Sequence, residues 1–233
     1  MVNERIAALL WPEHERAKRG PKPRMTVARI VETAIAVADR DGLDGVSMQR
    51  IADELGATKM SLYRYTPGKA ELMALMLDTA VGGPPEALRE GWREGLTDWA
   101  LALHDAFRRH PWALELAVGA RVFGPNELDW MEAGLSALRD TALSGAERVD
   151  ALVLVTGHVR SIVQQGAAPG SPEGPERGVD RLMAGIIMAN AGRYPETLAA
   201  FASARTAGEQ DQALTFGLDR ILDGLGVAMT RSG

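Results

Sequence analysis

Apolar residues recur along this chain at spacings of three and four, and no stretch alternates apolar and polar over the length of a strand. The pattern predicts an all-helical protein. Val27, Ile30, Val31, Ala34, Ile35, Val37 and Ala38 form one stripe, capped by Thr26 and ended at Asp41-Gly42, which predicts a helix to about Arg40. Ser47 is an N-cap candidate for a second, short helix carrying Ile51, Ala52 and Leu55. Gly56 suits a left-handed turn, Thr58 is a further cap, and the helix after it sends Leu62 toward the same core. Thr66-Pro67 predicts the start of a helix to Ala80, apolar over most of its girth, with proline at its first position.

Gly82-Gly83-Pro84-Pro85 breaks the pattern, and the expected organisation follows from that break. Residues 1–25 form an extension, 26–82 a small helical head and 83–233 a larger helical body. In the body, Leu88, Trp92, Leu96, Trp99, Leu103 and Phe107 predict a helix over Glu86–His110, and Pro111 starts a shorter one, Trp112 to about Val122. Phe123-Gly124-Pro125-Asn126 reads as a break before a helix over Glu127–Ala142, with Leu128, Met131, Leu135 and Leu138 on its inner side. Ser144 and Glu147 make a capping box for a helix to about Ala168. Pro169–Gly178 reads as a loop, Val179–Ala191 as an apolar, methionine-rich segment, Pro195–Ala204 as a short helix and Asp211–Met229 as the last. Glu147–Ala168 is apolar on nearly all sides, more than one core uses.

Two short helices joined at Gly56 form either an ordinary helical hairpin or a helix-turn-helix. The outer face decides between them. Lys59, Met60, Ser61, Tyr63 and Arg64 make a poor core but a good surface for reading a DNA groove. Net charge is −5, yet its distribution is uneven: residues 1–82 hold twelve basic and eleven acidic side chains, the remainder fourteen and twenty. Arg16, Lys18, Arg19, Lys22, Arg24 and Arg29 follow one another with no acidic residue between them. The segment Arg19–Arg24 reads either as an arm that tracks the DNA backbone or enters the minor groove, or as a solvated tail. Ile6–Trp11 reads as a short helix docked on the body. Acidic residues follow it without a cleavage site, so no signal peptide is expected. No membrane span and no cysteine chemistry are expected either, and the cytoplasm is the expected compartment.

Leu62-Tyr63-Arg64-Tyr65-Thr66-Pro67-Gly68-Lys69 resembles the LYxHFxxKxxL signature of the tetracycline-repressor (TetR) family. It departs from that signature at Tyr65 and Thr66, where the family often has histidine followed by phenylalanine. The body resembles one subgroup of the family's regulatory domains, through Arg-His-Pro-Trp at 109–112 and Gly-Pro-Asn at 124–126. The resemblance implies a homodimeric repressor, less often an activator, that binds a double-stranded DNA operator and a small-molecule effector. It implies that Lys59, Met60 and Ser61 face bases, that Tyr63 and Lys69 hold phosphates, and that Thr58 and Gln49 add contacts. It also implies a dimer built from Glu147–Ala168 and Asp211–Met229.

An effector pocket in such a body needs an apolar wall with a few orienting polar groups. Trp99, Leu103, Phe107, Trp130, Met131, Val155 and Met183 are candidates for the wall, and His104, His158, Arg121 and Asn126 for the polar groups. Taken singly, each aromatic reads more simply as core, and each histidine as a satisfied or exposed surface residue. Catalysis is not expected: the four histidines lie in no metal spacing, and there is no GxSxG elbow, Walker loop or dinucleotide fingerprint. No metal, cofactor or catalytic residue is assigned. An architectural DNA binder, the other alternative, would be strongly basic and would have no use for so large an apolar body.

Overall fold

The computed structural model describes residues 2–12, 25–166, 183–207 and 212–231. Among these the regular structure is helical, with no strand. The head comprises α2 (Val27–Asp41), a 3-10 turn (Leu43–Gly45), α3 (Met48–Glu54) and α4 (Lys59–Leu62), and α5 (Lys69–Val81) leads out of it. The body comprises α6 (Trp92–Arg109), α7 (Ala113–Leu116), α8 (Pro125–Ala137), α9 (Gly145–Gly166), α10 over residues 183–189, α11 (Pro195–Ala207) and α12 (Ala213–Arg231). Ahead of the head, α1 (Val2–Leu10) packs on α5. The run 19–24 and the loop 169–178 lie outside the described residues.

Local chemistry sets the head's elements. Thr26, Ser47 and Thr58 each accept a bond from the amide three residues on, those of Arg29, Arg50 and Ser61. Gly42 and Gly56 take φ of 71° and 62°, a region that favours glycine, and each turns the chain out of a helix. Ile30, Ala34, Ile51, Ala52, Leu62, Leu72 and Met76 are fully buried together, each large one adding about 1.5–3 kcal/mol of transfer free energy. Ala52 lets α3 and α4 close on each other, and the Ala57 amide bonds back to the Ala52 carbonyl at 2.9 Å. Thr66, at the departure from the signature, is fully buried.

Several predicted boundaries shift, each for a local reason. α5 begins at Lys69 with Gly68 as its cap, so Pro67 lies before the helix and not at its first position. α6 begins at Trp92 and not at Glu86. Gly91 turns at φ 89°, and Arg89 is folded back to bond Asp98 through its amide and guanidinium. The helix predicted to Val122 is a single turn, α7, followed by an irregular segment through Gly124. α8 starts at Pro125, so Asn126 belongs to its first turn and not to a break. Its inner face is set by Trp130 and Gly134, whereas Leu128 and Met131 are 40% and 37% exposed.

Among the described residues, head and body meet along α5 and at a contact beside it. α5 runs from one into the other and packs against α2, α6, α7 and α8. Away from it, Asp39 near the end of α2 accepts from the Trp112 indole at 2.7 Å and lies 2.8 Å from His110 Nδ1. Trp112 is 6% exposed. Asp39→Ala strands that indole donor, and we expect a loss of about 1–3 kcal/mol of stability, read as a lower thermal midpoint. An unchanged midpoint would show that water replaces the carboxylate there.

Candidate nucleic-acid interface and ligand cavity

The outward surface of the helix-turn-helix collects the residues expected to meet DNA. Met60 is 75% exposed at the tip of α4, and Lys59, Tyr63, Arg64 and Lys69 are also exposed. Lys59 Nζ stands 5.8 Å from the centroid of the Tyr63 ring. Among the described residues, Lys59, Arg64 and Lys69 have no carboxylate within ion-pair distance, so their charges remain available for phosphates or bases. Elsewhere in the head the arginines are engaged: Arg50 and Arg40 both bond Glu54 and hold its carboxyl below the usual range. Gln49 bonds Asp53 at 2.8 Å, Thr58 caps α4, and the Ser61 hydroxyl donates to the Thr58 carbonyl at 2.6 Å. Arg24 lies outside the described residues.

The body forms a half-open cavity of about 560 Å³ between α6, α8, α9 and the irregular segment before α8. Trp99, Leu103 and Phe107 come from α6, Trp130 and Met131 from α8, and Leu152 and Val153 from α9. Val81, at the end of α5, also reaches it. The two tryptophans are locked: Trp99 Nε1 donates to the Trp130 carbonyl at 2.8 Å, and Trp130 Nε1 to the Gly82 carbonyl at 2.7 Å. Their rings meet edge to face, centroids 5.9 Å apart. Polar groups are few. Arg121 and Glu127 form a two-pronged ion pair at 2.6 and 2.5 Å, and the guanidinium lies over Phe123. Arg160 donates to the Ala117 carbonyl at 3.1 Å.

Of the residues singled out from the sequence, Trp99, Leu103, Phe107, Arg121, Trp130 and Met131 line this cavity. The structure places the others elsewhere. Val155 is fully buried in the packed core. His158 bonds the Leu214 carbonyl at 2.9 Å and so points at α12. His104 stands beside Asp105, its pKa lowered by burial. Asn126 donates to the Asp78 carbonyl and carboxylate, and Met183 is exposed on α10. Glu127, Phe123 and Arg160 line the cavity unannounced. Glu127 reaches it because it caps the Gly124 amide, which turns its carboxylate toward Arg121.

One junction ties the cavity to the helix that leaves the head. Asp78 of α5 accepts from the Glu127 amide at 3.2 Å and from Asn126 Nδ2 at 3.1 Å, and so caps α8 from outside. Burial raises the Asp78 pKa, with the nearby Glu127 charge acting in the same direction. Glu127 is therefore bound to Asp78 through its amide and to Arg121 through its side chain.

A helix-turn-helix with free cations, set on a helical body that carries an apolar cavity, is the build of a DNA-binding transcriptional regulator. Comparison with known proteins agrees. The pattern of the bacterial regulatory proteins of the tetR family matches residues 30–76, and that of the tetracyclin repressor-like C-terminal domain matches 84–229. The HTH-type transcriptional repressor DrrR1 of Streptomyces coeruleorubidus is 39% identical over 97% of this chain and 87% of its own length. The TetR family protein ActR of Streptomyces coelicolor, solved in complex with actinorhodin, superposes with a TM-score of 0.74 at 25% identity, over 91% of this chain and all of its own. The chain belongs to the TetR family of transcriptional regulators, and it is not an enzyme. No helix among the described residues is long and apolar enough to cross a membrane.

Proposed function

We propose that the protein is a homodimeric repressor of the cytoplasm. It holds a palindromic operator and releases it when a small hydrophobic or aromatic effector fills the cavity. In this reading residues 26–82 act as the DNA-binding head, 83–233 as the regulatory and dimer-forming body, and 1–25 as an extension whose Arg24 meets DNA. The observation that carries it is the Asp78 junction, which joins the cavity wall to α5. The repressor DrrR1 supports the sign of regulation, and ActR, solved with actinorhodin, supports a small-molecule effector. Release requires an effector that prefers a body in which α5 holds the two heads at the wrong spacing. By linkage that effector binds the DNA-bound dimer more weakly than the free one.

Selection from random duplexes tests the reading and should return an inverted repeat with half-sites one or more helical turns apart. Lys59 reads bases in this scheme, pairing with guanine N7 and O6. Lys59→Ala therefore relaxes base preference in the half-site at a cost of about 1–3 kcal/mol. Tyr63 holds phosphate, so Tyr63→Phe weakens all sequences alike. A selected site without a repeat would defeat the dimeric reading. An unchanged preference in Lys59→Ala would defeat the register assigned to α4.

A further inference from the structure

We propose that the cavity selects for charge, taking an aromatic monoanion whose acid group pairs with Arg160. The inference rests on the reading of this cavity as the effector site and names the class of effector. Among the described residues the wall carries three charged groups, Arg121, Glu127 and Arg160. Arg121 is already neutralised by its two-pronged bond to Glu127, and its face lies on the Phe123 ring. That pair closes on itself and leaves no net charge. Arg160 differs. Its one acceptor is the Ala117 carbonyl at 3.1 Å, and among the described residues no carboxylate lies within ion-pair distance. A guanidinium has five N–H donors, so most of its donor capacity is unspent.

The surroundings make that cation count. Trp99, Leu103, Phe107 and Trp130 bound the same space, and a charge beside such a wall interacts more strongly than one in water. A positively charged ligand would meet Arg160 with Glu127, the one wall carboxylate among the described residues, already occupied. A neutral ligand would leave the guanidinium without a counter-charge beside an apolar surface. An anion satisfies it, and a planar acid can accept two parallel N–H bonds from the fork. His158, two residues before Arg160 on α9, points at α12 instead, its Nε2 bonded to the Leu214 carbonyl. The ring faces of the wall then hold the aromatic portion of the ligand.

A matched pair of dyes separates the contributions: anilinonaphthalene sulfonate and N-phenylnaphthylamine share a ring system and differ by the sulfonate. Both are titrated against the full chain by their fluorescence. Gly157→Phe locates them, because the glycine lines the cavity and a Cβ there meets nothing within 4 Å. That variant should fold, keep its thermal midpoint and lose both dyes. Arg160→Gln keeps a donor for the Ala117 carbonyl and removes the charge. It should weaken the sulfonate roughly tenfold and the neutral dye less than about twofold. Arg160→Lys should restore most of the sulfonate affinity. If both dyes bind in the cavity and Arg160→Gln weakens both equally, or neither, the charge selection is wrong while the cavity reading stands. If Gly157→Phe leaves binding of both unchanged, or neither dye binds, the cavity reading itself fails and the inference with it.

Discussion

Leu154→Glu combined with Phe216→Glu is expected to turn the protein into a folded monomer that has lost specific operator binding. Leu154 on α9 is 52% exposed, Phe216 on α12 is 63% exposed, and Val227 farther along α12 is 58% exposed. The inner faces of the same helices are spent on each other: Val155, Val159, Leu218 and Leu222 are buried, and Gly217 lets the His158 ring approach closely. The outer residues therefore add apolar surface beyond what the subunit's own core consumes, which is the condition for a self-complementary interface. In the proposed dimer two glutamates buried there cost far more than they do in water. Without the partner each head binds its half-site alone, and the avidity lost is about 10²–10⁴ in affinity. Sedimentation velocity and gel shift on one sample read both effects. A dimer that survives both charges would move the interface elsewhere, and a monomer with full operator affinity would sink the two-headed reading.

Gly124→Ala is expected to break the link between cavity and head. Its φ of −82° suits any residue, so backbone strain is not the reason. The reason is space: a Cβ there would stand 2.1 Å from the Asp78 Oδ1 position and 2.7 Å from Asp78 Cβ. The carboxylate must leave, and α8 loses its outside cap with it. Overpacking of this kind costs about 1–3 kcal/mol, and the lost acceptor adds to it. The double variant Gly124→Ala, Asp78→Ala removes the clashing group and should be less destabilised than the two single changes summed. Simple additivity would mean that the two residues do not collide. Acid should not loosen this junction through Asp78. Its folded pKa lies above its unfolded one, so the stability contributed by the bound proton is fully present below the unfolded value. It is lost only as pH rises through the folded value.

What could be read in the sequence was local. Thr26, Ser47, Thr58, Gly42 and Gly56 each act within four residues, and each does in the structure what its chemistry implies. The stripe Trp99, Leu103, Phe107 could be found because one helix presents it to one place. α8 was harder. Leu128 and Met131 share a spacing with Leu135, but the face that buries is chosen by Trp130 reaching the Gly82 carbonyl from another element. Arg160 could not be found by pattern at all. α9 is apolar on several faces, and only the packing of His158 against α12 settles which side looks into the cavity. The Asp78 junction joins groups 48 and 49 positions apart, and no periodicity marks such a pair.

The contact of Asp39 with Trp112 and His110 limits how the head can move. A rigid unit fixed at one point can turn about three axes. Fixed at two points, it retains a single axis, the line through them. α5 provides one attachment and the Asp39 contact the other, and they lie on different elements of the head. α5 is itself packed along its length, so a turn of the head about it has to break the Asp39 contact. In the proposed dimer that contact ties the tilt of each head to the body, and with it the gap between the two recognition helices.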